Sequence, residues 1–484
     1  MGAKLLLNLL FLIFINFLVK PFWLFGIDRG VQNAVGNEEY GIYYALFNLG
    51  FALNVILDPG ITIFNNRNIA QNHHLLEKYF SGIFTIKCFL SILYLLAVLS
   101  LGLFLGYYTY LYLLLPIAIN QALSSFILYM RSNISALQHF KTEGMISVMD
   151  RLLMIIICGF LLFTPILEGR FKITYFVMAQ MVSYALTALV AFLWLRTKTD
   201  TLVLRINLKF NFLLLILKKS YPFAILGLLM VIYNRVDSIM LERMLPEGAK
   251  AAGIYAAAYR ILDAVNMVGF IFSTILLPTF AKMLKEKYNF IPLLNTASQA
   301  LFIPALCLCL WAHQYDFELM DLLYKDEIAI KSAVFGNLIF TFIPICVVYV
   351  FGSLLTANAD IKALNTISGF GVLLNIAMNF YFIPQFGVSG AVWTTLVTQS
   401  MVALLHLILA VWVFKLPVRF SFVLRYLLLV GGTVWLFQFS VEGFSWWLDA
   451  LSKLLLVLSF ALLLRIVEVK QLLVLLKHAK SAKK

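Results

Sequence analysis

Lys20-Pro-Phe-Trp-Leu-Phe-Gly-Ile-Asp-Arg29 runs, through residues 30–35, into Gly36-Asn-Glu-Glu-Tyr-Gly-Ile-Tyr-Tyr44. Fifteen or so apolar residues precede it, so Lys20 sits deep in what is otherwise a membrane helix. A charged side chain in hydrocarbon costs about 2.5–3.5 kcal/mol on insertion scales, and it must therefore face water, a partner charge or an anionic ligand. The glycines and acids at 36–41 then end the first span and open the second. The rest of the chain repeats this pattern of long apolar stretches carrying very few ionisable groups.

Of the 484 residues, 62% are hydrophobic and 12% charged, which excludes a soluble globular domain. The fold class that follows is an all-α integral membrane protein with about 14 transmembrane helices. Hydropathy places these spans near 5–34, 41–65, 81–105, 110–137, 146–166, 173–195, 217–241, 253–279, 293–312, 330–356, 361–383, 388–413, 421–438 and 446–465. The net charge of +14 raises the possibility of nucleic acid, but the bases lie beside apolar spans rather than in aromatic-interleaved patches, so membrane lipids are the expected partner and nucleic acid is not. The five cysteines and six histidines form no disulfide framework and no metal-ligand spacing. Lys4 with the apolar run after it resembles a signal peptide but lacks a small-residue cleavage site, and is expected to remain as the first span.

With the N-terminus inside, about 23 Lys/Arg fall in cytoplasmic segments and about 7 in outside loops, which predicts that both termini are cytoplasmic. The largest inside loop, Arg196 to Lys219, divides two halves that resemble each other. Pro21-Phe-Trp-Leu-Phe-Gly26 recurs as Pro222-Phe-Ala-Ile-Leu-Gly227, and Gly41-Ile-Tyr-Tyr recurs as Gly253-Ile-Tyr-Ala. The expectation is two pseudo-symmetric six-helix lobes, 1–200 and 201–415, with a substrate site between them. An appended pair of spans, 416–466, and a basic amphipathic cytoplasmic tail, 467–484, complete the chain.

Several spans carry polar faces at helical spacing. Span 1 offers Asn16, Lys20 and Trp23; span 2 offers Asn54, Asp58 and Asn65; span 4 offers Asn120, Ser124, Arg131, Ser135 and Gln138; span 8 offers Tyr255, Tyr259, Asp263 and Asn266, with Arg260 beside them. Neutral members of such faces also serve simply to join helix to helix. The ionised ones are harder to explain that way: Lys20, Lys87, Arg131, Arg235 and Arg260 outnumber Asp58, Asp237 and Asp263. A surplus of cations on a wet interior suits an anionic substrate, since guanidinium groups fork onto phosphate oxygens. Asp28-Arg29 and Asp150-Arg151 fall at hydropathy-defined span ends and read as interfacial anchors. No loop is large enough to carry catalytic acids or a metal site, and there is no phosphate-binding Gly-rich loop, so the chain is expected to be a carrier rather than an enzyme or an ATP-driven pump.

Lys20-Pro21, Gly36-Asn-Glu-Glu-Tyr-Gly, Leu57-Asp-Pro-Gly-Ile-Thr, Asn65-Asn-Arg-Asn-Ile-Ala-Gln and Phe386-Gly-Val-Ser-Gly-Ala-Val-Trp-Thr-Thr together resemble the Wzx-type oligosaccharide flippases of the multidrug/oligosaccharidyl-lipid/polysaccharide exporter superfamily. The resemblance implies two six-helix lobes around a central cationic cavity, two extra C-terminal helices, and a bacterial inner-membrane location. It also implies movement of an undecaprenyl-diphosphate-linked oligosaccharide, such as an O-antigen unit, from the inner to the outer leaflet. Lys20, Arg235, Arg260 and Arg131 would then be cavity cations. Asp58, Asp237 and Asp263 would be coupling or ion-pair groups, for H+ or Na+ and without any cofactor. Asn16, Trp23, Asn54, Asn120, Tyr255 and Tyr259 would line the cavity, and polysaccharide polymerase or ligase proteins would be its partners. Lipid II flippases share the cationic cavity, multidrug antiporters would want an acidic one, and a membrane scaffold would need no buried cations.

Overall fold

The computed structural model describes residues 15, 16, 18–62, 65, 69, 75–137, 139–164, 170–197, 210–416, 428, 431–435 and 445–463. Among these there is no strand. Ten helices are long and apolar enough to cross a membrane, and they coincide with spans 3 to 12. Hydrocarbon leaves no water to satisfy backbone N–H and C=O groups, so each apolar run must close its hydrogen bonds within itself. Most of span 13, the basic tail, Gln138 and much of the Arg196–Lys219 loop lie outside the described residues.

The chain forms two compact units, Met1–Gly253 and Ile254–Lys484. In the first, span 1 passes through one π-helical turn, Trp23–Asp28, and continues as helix to Gly36, whose φ of +82° breaks it from span 2. Glycine takes that conformation without a Cβ clash. Asp28 is therefore not an interfacial anchor: it is buried at 2% exposure and accepts a hydrogen bond from the Tyr40 hydroxyl (2.8 Å), tying the two sides of the break together. Span 2 does not hold one helical face from Asn54 to Asn65 as the spacing predicts. Its helix ends at Ala52, and a 3-10 turn, Asn54–Ile56, leads into Asp58-Pro59-Gly60. Proline has no N–H to continue the ladder, so the break is local chemistry.

The glycines that open the second of the repeated motifs both pack tightly within this unit. A Cβ on Gly41 would collide with the Ala249 carbonyl, and a Cβ on Gly253 would collide with the Asn37 carbonyl. Each glycine thus abuts the residue four positions before its counterpart in the repeat, and Gln32 donates to both the Gly253 carbonyl (2.9 Å) and the Asn37 side chain (3.2 Å). Small residues permit this approach of helix backbones. Helix Phe210–Met244, the seventh span, is held along span 2 by Asn48 donating to Ser238 (2.8 Å) and beside span 3 by the Tyr107 hydroxyl donating to Glu242 (2.6 Å). Burial and the neighbouring Glu242 carboxylate push the Tyr107 phenol up, so it remains a donor.

In the second unit, helices Ile361–Phe386 and Val388–Phe414 form a hairpin turned at Gly387, with φ +57°, around a buried polar seam that includes Asn375, Asn379, Thr395 and Gln399. Span 10 runs from Ile328 to Ala357 through a 3-10 turn and a π turn. Helix Trp446–Leu463 docks on helix Ile291–Gln314: Trp311 donates to the Ala450 carbonyl (3.1 Å), while Asp449 accepts from Tyr315 (2.7 Å) and pairs with Lys453 (2.9 Å).

Candidate functional site

Lys20 lies one turn before the π turn of span 1, and around it the first unit gathers charges from two other helices. Span 5, helix Phe140–Phe163, presents Glu143, Ser147, Asp150 and Arg151 at helical spacing on one face. That face meets the Asn16, Lys20 and Trp23 face of span 1. Asn16 donates to the Ser147 hydroxyl (2.9 Å), and seven residues on the Arg151 guanidinium lies over the Trp23 ring, 4.4 Å from its centre. The contacts advance in the same direction along both helices, so spans 1 and 5 run parallel, as two odd-numbered spans must.

Arg131 reaches in from helix Leu111–Ala136 and places both Nε (3.0 Å) and Nη2 on Oε1 of Glu143. Arg151 donates through Nη1 to the Tyr184 hydroxyl (3.0 Å), and its Nε lies 3.7 Å from Asp150. Lys20 feels all four of these groups: Arg131 and Arg151 repel it, Asp150 and Glu143 attract it. Among the described residues it has neither a hydrogen-bond nor an ion-pair partner. The cluster therefore carries three cations against two acids, both acids are engaged with arginines, and the half-buried ammonium is left over. Such an excess of positive charge is one that an anion would complement. The cluster's pre-organised part is Arg151, which is held by an aromatic ring and a hydroxyl.

Arg151 is the residue that reading the sequence missed. Its reading as an interfacial anchor is corrected because the helix begins at Phe140, which puts Arg151 more than three turns in. The periodicity of Glu143, Ser147, Asp150 and Arg151 was the available signal.

The other expected site residues are distributed as follows. Arg235 belongs to the first unit with its guanidinium 5.6 Å from the Phe51 ring centre, and Asp237 beside it is fully buried. Asp58 is paired with Lys87 (3.1 Å), and Asn54 sits half-buried in the 3-10 turn before it. Asn120 is buried and donates to the Val177 carbonyl (3.0 Å) and to Gln180 (3.4 Å), which makes it a link between spans 4 and 6. Asn65 donates to Asn133 (2.8 Å) in the same manner. Arg260 and Asp263 belong to the second unit, both half-buried. Tyr255 and Tyr259 are buried there, rings 5.5 Å apart, with the Tyr255 hydroxyl 3.0 Å from that of Thr395.

The architecture has known counterparts. The chain is similar to a structure titled "Lipid II flippase MurJ, inward closed conformation", with a TM-score of 0.70 at 15% identity, covering 94% of this chain and 98% of that one. It is also similar to an inward-facing multidrug resistance MATE family transporter of the MOP superfamily, with a TM-score of 0.62 at 14% identity, covering 80% of this chain and 93% of that one. An outward-facing MATE transporter matches with a TM-score of 0.55 at 15% identity, covering 84% and 94%. At these identities the likeness is one of fold. No curated protein sequence gives a significant match. A family model described as "Polysaccharide biosynthesis protein" matches residues 7–284, more than half of the chain. A multi-pass, all-helical membrane protein of MurJ- and MATE-like fold, this chain belongs to the polysaccharide biosynthesis protein family.

Proposed function

We propose that the chain is a flippase that carries a polyprenyl-diphosphate-linked oligosaccharide from the cytoplasmic to the outer leaflet of a bacterial inner membrane by alternating access, with both termini in the cytoplasm. The observation that carries this reading is Lys20, a mid-span ammonium without a partner among the described residues, beside a guanidinium held over the Trp23 ring. A diphosphate crossing unaided would shed its hydration at prohibitive cost. Fixed cations replace that shell, and Lys20, Arg151 and Arg235 of the first unit are the groups we assign to it, with Arg131 set in place by Glu143; Arg260 of the second unit is assigned a cation role of its own. A cationic drug would be repelled by the same cluster, which disfavours multidrug export. The family match favours a glycan-pathway lipid as the cargo. Coupling to H+ or Na+ and hand-over to polysaccharide polymerase or ligase proteins belong to the same proposal.

The test is cellular. In a strain that depends on this chain for surface glycan, Lys20→Met should abolish the glycan and leave lipid-linked oligosaccharide in the inner leaflet, with normal amounts of protein in the membrane. Normal surface glycan from Lys20→Met would overturn the assignment.

A further inference from the structure

The break in span 2 leaves main-chain carbonyls near Leu57 without the amide partners that an unbroken helix would give them, and in a membrane something polar must answer them. The answer comes from span 3. Lys87, on helix Leu75–Phe104, has a side chain only 1% exposed, and its Nζ is 3.3 Å from the Leu57 carbonyl, 3.1 Å from Asp58 Oδ2, 2.7 Å from the Ser125 hydroxyl and 3.4 Å from the Ser125 carbonyl. Four oxygens therefore surround an ammonium that has three N–H bonds to give. The set is two carbonyls, one hydroxyl and one carboxylate, which are the hard oxygen donors that a dehydrated metal cation takes. Its single negative charge matches a single positive one. The donors are themselves fixed: Asp58 accepts from the Thr62 amide (3.1 Å) and the Thr62 hydroxyl, and the Ser125 hydroxyl also lies 3.4 Å from the Leu57 carbonyl. Broken membrane helices present such carbonyls to coupling ions. Here a side chain occupies the place.

We propose that the Asp58-Ser125 cradle is a monovalent-cation site whose ion is the chain's own Lys87 ammonium, tethered so that the break needs no ion from solution. Removing the ammonium and its stem then opens the cradle to a small dissolved cation, Na+ or methylammonium, while choline is too large to enter. The site is described by stability alone and does not depend on what the protein transports, so it stands or falls separately from the flippase reading.

The experiment compares thermal unfolding of the purified full chain in detergent in choline chloride, sodium chloride and methylammonium chloride at equal ionic strength. The wild type should melt at one temperature in all three. Lys87→Ala should melt several degrees lower in choline and recover saturably in sodium or methylammonium. Lys87→Ala/Asp58→Asn, which lacks the carboxylate, should show no recovery. If Lys87→Ala does not survive solubilisation in choline, the yield of monodisperse protein with sodium or methylammonium present throughout becomes the reading, and its recovery counts for the proposal. A Lys87→Ala protein that is equally stable in the three salts, or that no cation recovers, overturns it.

Discussion

Lys20 and Lys87 are both lysines in apolar spans of the same unit, yet their surroundings are opposite. Lys87 is met by four oxygens, one of them a carboxylate's, while Lys20 is met by two arginines whose acids are already engaged. A buried charge that is saturated holds structure together. One that is kept half-buried and unsaturated costs stability, and on the proposed function Lys20 persists because the substrate completes it. The difference teaches that the depth of a charge in a span does not assign its role; the accounting of its partners does.

The sharpest way to break this comparison is to neutralise each lysine in turn. Lys20→Met should abolish export while leaving Tm unchanged or raised, because a half-buried charge with no partner among the described residues is removed. Lys87→Met should do the reverse first: it strands Asp58 and should cost about 3–5 kcal/mol, read as a fall in Tm and in membrane yield, with Lys87→Met/Asp58→Asn milder than the single variant. A fall in Tm for Lys20→Met as large as for Lys87→Met would erase the distinction.

Arginines provide the next contrast. Arg151→Ala should reduce export severely, and Arg151→Lys should restore it only in part, since an ammonium keeps the charge but loses the planar fork. Trp23 fluorescence should shift in both, as the stacked guanidinium leaves its face. In the second unit, Arg260→Ala should also abolish surface glycan. If Arg260 serves only as the partner of Asp263, Arg260→Ala/Asp263→Ala should recover export; a stable but inactive double variant supports the substrate role.

Smaller effects probe the frame that holds these charges. Gly253→Ala, forced against the Asn37 carbonyl, should cost about 1–3 kcal/mol through overpacking of backbone on backbone. Asn120→Ala, which removes one interhelical link, should cost about 1 kcal/mol, within the range of such bonds in membranes.

Spans 3 to 12 were legible because the bilayer imposes both length and composition on each, and the observed helices begin and end within about six residues of the hydropathy limits. The site was less legible for the same reason. Hydropathy opened span 5 at residue 146 because Lys141 and Glu143 depress the window, so Arg151 fell near an apparent end. The helix in fact starts at Phe140, and Glu143 is there to meet Arg131, twelve positions back, a pairing that no single-segment reading reveals. Pro59-Gly60 was a visible breaker signal in span 2, yet apolar residues on both sides carried the window across it. The partner of Asp58 is 29 residues away on another helix, so its pairing is tertiary information.

We propose that the Lys20 ammonium, which has no partner among the described residues, waits for a diphosphate. Equilibrium binding of undecaprenyl diphosphate to the purified wild type, Lys20→Met and Lys87→Met/Asp58→Asn measures it directly. Lys20→Met should raise Kd about tenfold or more, a loss of about 1.4 kcal/mol, while the Lys87→Met/Asp58→Asn protein binds as the wild type does. Equal affinity of wild type and Lys20→Met would contradict it.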